Sequence, residues 1–181
     1  MATTLDDLRA LQTAEAISDS IWARVIKWDQ FAKDTVGKQL ARAADSIGAN
    51  IAESYGRFHY GQKIEFLYYA RGSLFETKYW LNRVLKRNLM PTDEAQKYGK
   101  ELTGLAIGSN QFVKDLKVQR QDNSAPSRTM REKQAEYITE LMPEISDDLF
   151  SSKELAWLES LSPTNLSLSQ SLNHFPQGGT K

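Results

Sequence analysis

The sequence predicts an all-α protein, an up-and-down four-helix bundle with a partly disordered C-terminal extension. Three observations predict it. Apolar residues recur at spacings of three and four through four successive segments, the period of an amphipathic helix. No segment alternates as a strand does. Capping residues, glycine and proline fall between the periodic runs. Residues 1–120 are assigned to the bundle and 121–181 to an acidic, then Ser-rich extension in which short helices are expected but most of the chain is flexible.

In the first segment Ala14, Ile21, Val25, Trp28 and Ala32 share a stripe that extends back through Leu11 and Leu8. In the second, Val36, Leu40, Ala44, Ile47, Ile51 and Tyr55 do so, with Asp34-Thr35 as the expected cap and Gly56 as the expected left-handed stop. The third carries a leucine line, Leu67, Leu74, Leu81 and Leu85, and ends before Pro91. Thr92 and Glu94 open the fourth, where Tyr98, Leu102, Leu105, Phe112 and Leu116 repeat the pattern around Ser109. Gly99, Gly104 and Gly108 each weaken that helix by roughly 1 kcal/mol relative to Ala, so each needs a packing reason. Beyond residue 120, MREKQAEYITEL and Glu154 to Leu161 are expected to form short helices. The Ser-rich end lacks the apolar content to offset its ordering entropy, and disorder is expected there.

Two helices carry more apolar surface than one stripe. The second has Ala41, Gly48 and Ala52 as a line without bulk, suited to close approach of another backbone. The third adds Tyr68, Phe75 and Tyr79 beside its leucines. A helix apolar nearly all round is a buried helix. The surplus is most simply covered by another copy of the chain, or else it lines a broad core. Asn50 lies at the edge of the second stripe and is expected to bond a neighbour and fix register; Ala41, Gly48, Asn50, Ala52, Tyr68, Phe75 and Tyr79 are thus the expected oligomer or helix contacts.

The net charge is zero, but residues 36–90 hold nine Lys and Arg against four acids, and residues 121–181 five against nine. Within the basic block, Lys38, Arg42, Arg57, Lys63, Arg83, Lys86 and Arg87 fall outside the core lines and are the candidate phosphate contacts. Basic residues at a helix C-terminus also complement its dipole. No aromatic–basic interleaving marks a base-reading surface. Lys78 is expected to reach solvent along its stem, and Arg71 to pair with an acid, Glu53 or one from another chain. The acidic extension is expected either to cover the basic block and compete with nucleic acid or to dock a protein.

Enzyme chemistry finds no footing. There is no cysteine, and the two histidines, His59 and His174, form no metal-ligand motif. GRFHYG and QGGTK lack phosphate-loop spacing, and no serine sits in a nucleophile elbow. Asp147-Asp148 reads as solvated charge in a loop. No cofactor or metal is expected. No apolar run approaches the roughly 18 residues of a membrane span, and the N-terminus has no continuous apolar signal core; the cytoplasm is expected.

Two stretches carry a resemblance. QLARAADSIGANIAESYGR (39–57) resembles Q-L-x-R-A-A-x-S-I-x-x-N-I-A-E-G-x-G-R, and EFLYYARGSLFE (65–76) resembles E-F-x-x-F-L-x-x-A-x-G-S-L-x-E, shortened at its front. Both patterns belong to the small four-helix-bundle proteins first noted as products of intervening sequences in bacterial 23S ribosomal RNA genes. The accessory variability determinant of diversity-generating retroelements is similar to them. Ser54 stands where the pattern has Gly, and Tyr60-Gly61 where it has a Ser or Thr cap. The resemblance implies a bundle that assembles into a ring, a homopentamer, with no enzymatic activity. For the retroelement member it implies binding to a reverse transcriptase and to nucleic acid. The expected function is therefore a non-catalytic oligomeric adaptor for nucleic acid or a nucleoprotein. The alternative is an oligomeric protein-interaction scaffold without nucleic acid.

Overall fold

The computed structural model describes residues 8–122 and 148–161. Helix α1 spans Arg9–Val25. A short α2, Gln30–Ala32, runs through a π-helical turn, Lys33–Gly37, into α3, Lys38–Gly56. Then come α4, Tyr60–Lys86, α5, Thr92–Asp122, and α6, Ser152–Glu159. The architecture is the expected all-α four-helix bundle, in which α1, α3, α4 and α5 run alternately up and down. The helix expected in MREKQAEYITEL and the disorder expected at the Ser-rich end lie outside the described residues.

The stripes meet in one core. Ile21, Leu40, Ile47, Ile51, Leu67, Leu74, Leu81 and Leu102 have no solvent exposure or nearly none. Each such side chain contributes about 1.5–3 kcal/mol of transfer free energy. Polar contacts fix the pairings at the edges. Ser20 and Tyr98 hydroxyls meet at 2.9 Å, and Arg24 Nε donates to Glu94 at 2.9 Å, which sets α1 against α5. The bond to Glu94 raises the Arg24 pKa against the effect of burial.

Several local expectations are corrected. The first stripe does run on through buried Trp28 and Ala32, but the helix ends at Val25 and restarts at Gln30. Asp29, with extended backbone, accepts from the Ala32 amide at 2.9 Å and caps the restart. Asp34 and Thr35 therefore lie inside the π-helical turn instead of capping the second helix. That wider turn brings Gly37 against Val25; a Cβ at residue 37 would sit 2.7 Å from Val25 Cγ1. Gly56 is the last residue of α3 and not a left-handed stop, since Arg57 turns the chain directly into extended backbone. Among the described residues the left-handed one is Asn88, at φ 54°, after α4. There the Leu89 amide donates to Val84 O and the Asn88 amide to Leu85 O, each at 3.1 Å, the double closure of a Schellman motif.

The small-residue line of α3 faces α1: a Cβ on Gly48 would touch Ala14 and Leu11 at 3.7 Å. Asn50 Nδ2 donates to Ser46 O at 2.7 Å and to Ser73 Oγ at 3.3 Å, tying α3 to α4.

The surplus on α4 is covered in part by the chain's own residues 148–161. Phe75, one of the expected oligomer or helix contacts, packs beside Phe150 and Trp157 at centroid distances of 5.8 and 5.4 Å. Helix α6 lies along the groove between α4 and α5. Gly99 allows its close approach, because a Cβ there would sit 2.8 Å from Glu159 O. Gly104 and Gly108 have no such neighbour.

Candidate nucleic-acid interface

The seven candidate phosphate contacts separate into two groups. Helices α3 and α4 form an antiparallel hairpin, with Arg42 on α3 3.7 Å from Glu76 on α4. Lys38 and Arg42 at the start of α3 therefore share one end with Arg83, Lys86 and Arg87 at the close of α4. Arg57 and Lys63 flank the turn at the other end, roughly 28 Å away along α3. Lys38, Arg42, Lys86 and Arg87 are exposed; Arg57, Lys63 and Arg83 are half-buried.

The half-buried three lie on aromatic rings. The Arg57 guanidinium stands 4.3 Å from the Phe66 centroid and pairs with Glu53. Lys63 Nζ stands 5.7 Å from the Tyr55 ring and donates to Tyr55 O at 3.1 Å; burial lowers its pKa. Arg83 stands 5.5 Å from the Tyr79 ring. Aromatic and basic groups thus do interleave, contrary to the sequence expectation. The signal was present in YGRFHYGQK, residues 55–63, where aromatic and basic residues alternate across a turn. Phe58, at the tip of that turn, is 89% exposed.

Arg71 and Lys78 serve α6. Arg71 pairs with Glu154 of its own chain and not with Glu53. Lys78 does not reach solvent; it is fully buried and donates to Leu158 O at 3.2 Å. Asn110 grips the Phe150 backbone twice, from Nδ2 to its carbonyl at 2.9 Å and through Oδ1 to its amide at 2.6 Å. Asp148 pairs with Lys114 at 2.7 Å. The described part of the acidic extension therefore rests on the basic block at Arg71 and Lys78. Of the expected contact residues, Ala41 is buried, Ala52 and Tyr68 are half-buried, and Tyr79 is half-exposed.

Among the described residues, no three His, Cys, Asp or Glu side chains converge as metal ligands. No helix among them is long and apolar enough to cross a membrane. His174 and Asp147 lie outside the described residues. The arrangement supplies cations, exposed rings and helix-docking surface.

Compared with known families, residues 6–107 match the 23S rRNA-intervening sequence protein. No curated protein sequence matches the chain.

Proposed function

The chain belongs to the 23S rRNA-intervening sequence protein family, and from that premise we propose that it is a non-catalytic oligomeric adaptor that binds nucleic acid or a nucleoprotein. The observation that carries this reading is the placement of the basic residues on the α3–α4 hairpin. Four exposed cations gather at one end and three lie on aromatic faces, positions suited to phosphate neutralisation and to contact with bases. Assembly into a homopentameric ring would repeat both groups in each copy, giving affinity that a chain of zero net charge lacks by itself. In this reading the protein serves in the cytoplasm as an accessory to a reverse transcriptase of a diversity-generating retroelement.

A protein-interaction scaffold without nucleic acid is the second reading. It is favoured by the α4–α5 groove, which holds a short helix through ion-pair, backbone and aromatic contacts.

Charge removal tests the first reading against the second. Replacing Lys38, Arg42, Lys86 and Arg87 together by Gln alters only exposed side chains. The adaptor reading predicts at least a ten-fold loss of RNA affinity with an unchanged assembly mass. Unchanged affinity contradicts it.

A further inference from the structure

We propose that the turn between α3 and α4 is a stacking platform for single-stranded nucleic acid, with Phe58 meeting a base face and Arg57 and Lys63 meeting the flanking phosphates. The inference rests on the proposed nucleic-acid function and names the form of ligand taken at this end of the hairpin.

Phe58 is the most exposed large apolar side chain among the described residues. His59 meets it edge-on at 5.2 Å, and on α4 Phe66, over which the Arg57 guanidinium lies, meets Tyr69 edge-on at 5.4 Å. Tyr69 is itself half-exposed. A single exposed ring is ordinary, whereas rings interleaved with cations at one end of the hairpin match what unpaired bases require. Every base offers a π-face, so the contact needs no particular sequence.

The cations are held ready. Glu53 and the Phe66 ring hold the Arg57 guanidinium, which has donors beyond the one that Glu53 uses. Lys63 spends one of three donors on Tyr55 O. Glu53 and Glu65 offset these charges locally, so stacking, more than net charge, supplies the affinity. A duplex keeps its bases stacked on one another and presents no free face to Phe58. Single strands are therefore the preferred form.

The test measures fluorescence anisotropy of full-length protein with a labelled oligouridine of about 20 nucleotides and with an RNA duplex of similar length. Wild type, Phe58→Ala and Phe58→Trp are compared at one low salt concentration, with assembly mass measured for each. Phe58→Ala is expected to weaken single-strand binding about ten-fold and leave duplex binding and mass unchanged. Phe58→Trp is expected to retain single-strand affinity. Wild-type binding that Phe58→Ala leaves intact, or weakens equally for both ligands, overturns this inference alone. A changed mass in Phe58→Ala assigns the ring to a subunit contact and also overturns it. Failure of the wild type to bind either RNA overturns the nucleic-acid function as well.

Discussion

Lys78 Nζ donates to the carbonyl of Leu158 across 3.2 Å, from a side chain with no solvent exposure. It also stands 5.2 Å from the Trp157 ring. The carbonyl belongs to the last turn of α6, where a cation complements the helix dipole. Helix α6 has only eight residues, too few to persist in isolation. Its stability is therefore the stability of this docking.

Burial lowers the Lys78 pKa from 10.5 to about 8. Between those values the unfolded chain binds the proton and the folded chain does not, so stability from this group rises with pH. Below pH 8 the folded state bears the whole cost of the buried charge. Urea denaturation from pH 8 to 9.5 should show wild type gaining stability relative to Lys78→Met. Parallel profiles for the two proteins would mean that Lys78 keeps an ordinary pKa in the fold.

Glu154 holds the other end of α6 in two ways. Its carboxylate accepts from the Ser151 amide at 2.9 Å, closing a capping box, and it pairs with Arg71. Burial pushes its pKa up, but the Ser151 bonds and the Arg71 charge outweigh burial and hold it below 4.5. That stabilisation is present above the unfolded value and is lost as pH falls through the folded one. Glu154→Ala should speed amide exchange across Ser152–Glu159 by roughly ten-fold at neutral pH, the loss of one cap and one ion pair. Exchange in the middle of α4 should not change. Equal acceleration in both would show that α6 and the bundle open as one unit.

The glycines of α5 separate by sign. Gly104→Ala and Gly108→Ala meet open space and remove unfolded-state freedom, so each should stabilise by about 0.5–1 kcal/mol. Gly99→Ala would drive a Cβ to 2.8 Å from the Glu159 carbonyl and 3.1 Å from Leu161 Cδ1. It should loosen α6 and destabilise by about 1–3 kcal/mol. Thermal denaturation of the three variants checks the contrast, and a stabilising Gly99→Ala would refute the close contact.

The bundle was legible because its signal is local and repeated. The leucine line of α4 and the stripe of α3 each state one buried face at every turn, and both faces are buried. The partners of Arg71 and Lys78 were not legible, because they lie 83 and 80 residues away in sequence. No periodicity in one helix says which distant segment will cover it. The break at Asp29 was hidden by the apolar stripe, which continues through Trp28 and Ala32 although the backbone does not. The candidate phosphate contacts follow from charge and from lying outside the core lines. Charge does not distinguish the exposed Lys86 from Arg57, whose position depends on Phe66 across the turn.

The most direct test of the adaptor function is RNA and DNA binding by the purified full-length chain across a salt series. The account predicts binding at low salt that weakens steeply and log-linearly, with a slope of about −0.7 per phosphate neutralised on a single strand. Absence of binding at low salt, or binding indifferent to salt, would contradict it and leave the bundle as a scaffold for protein partners.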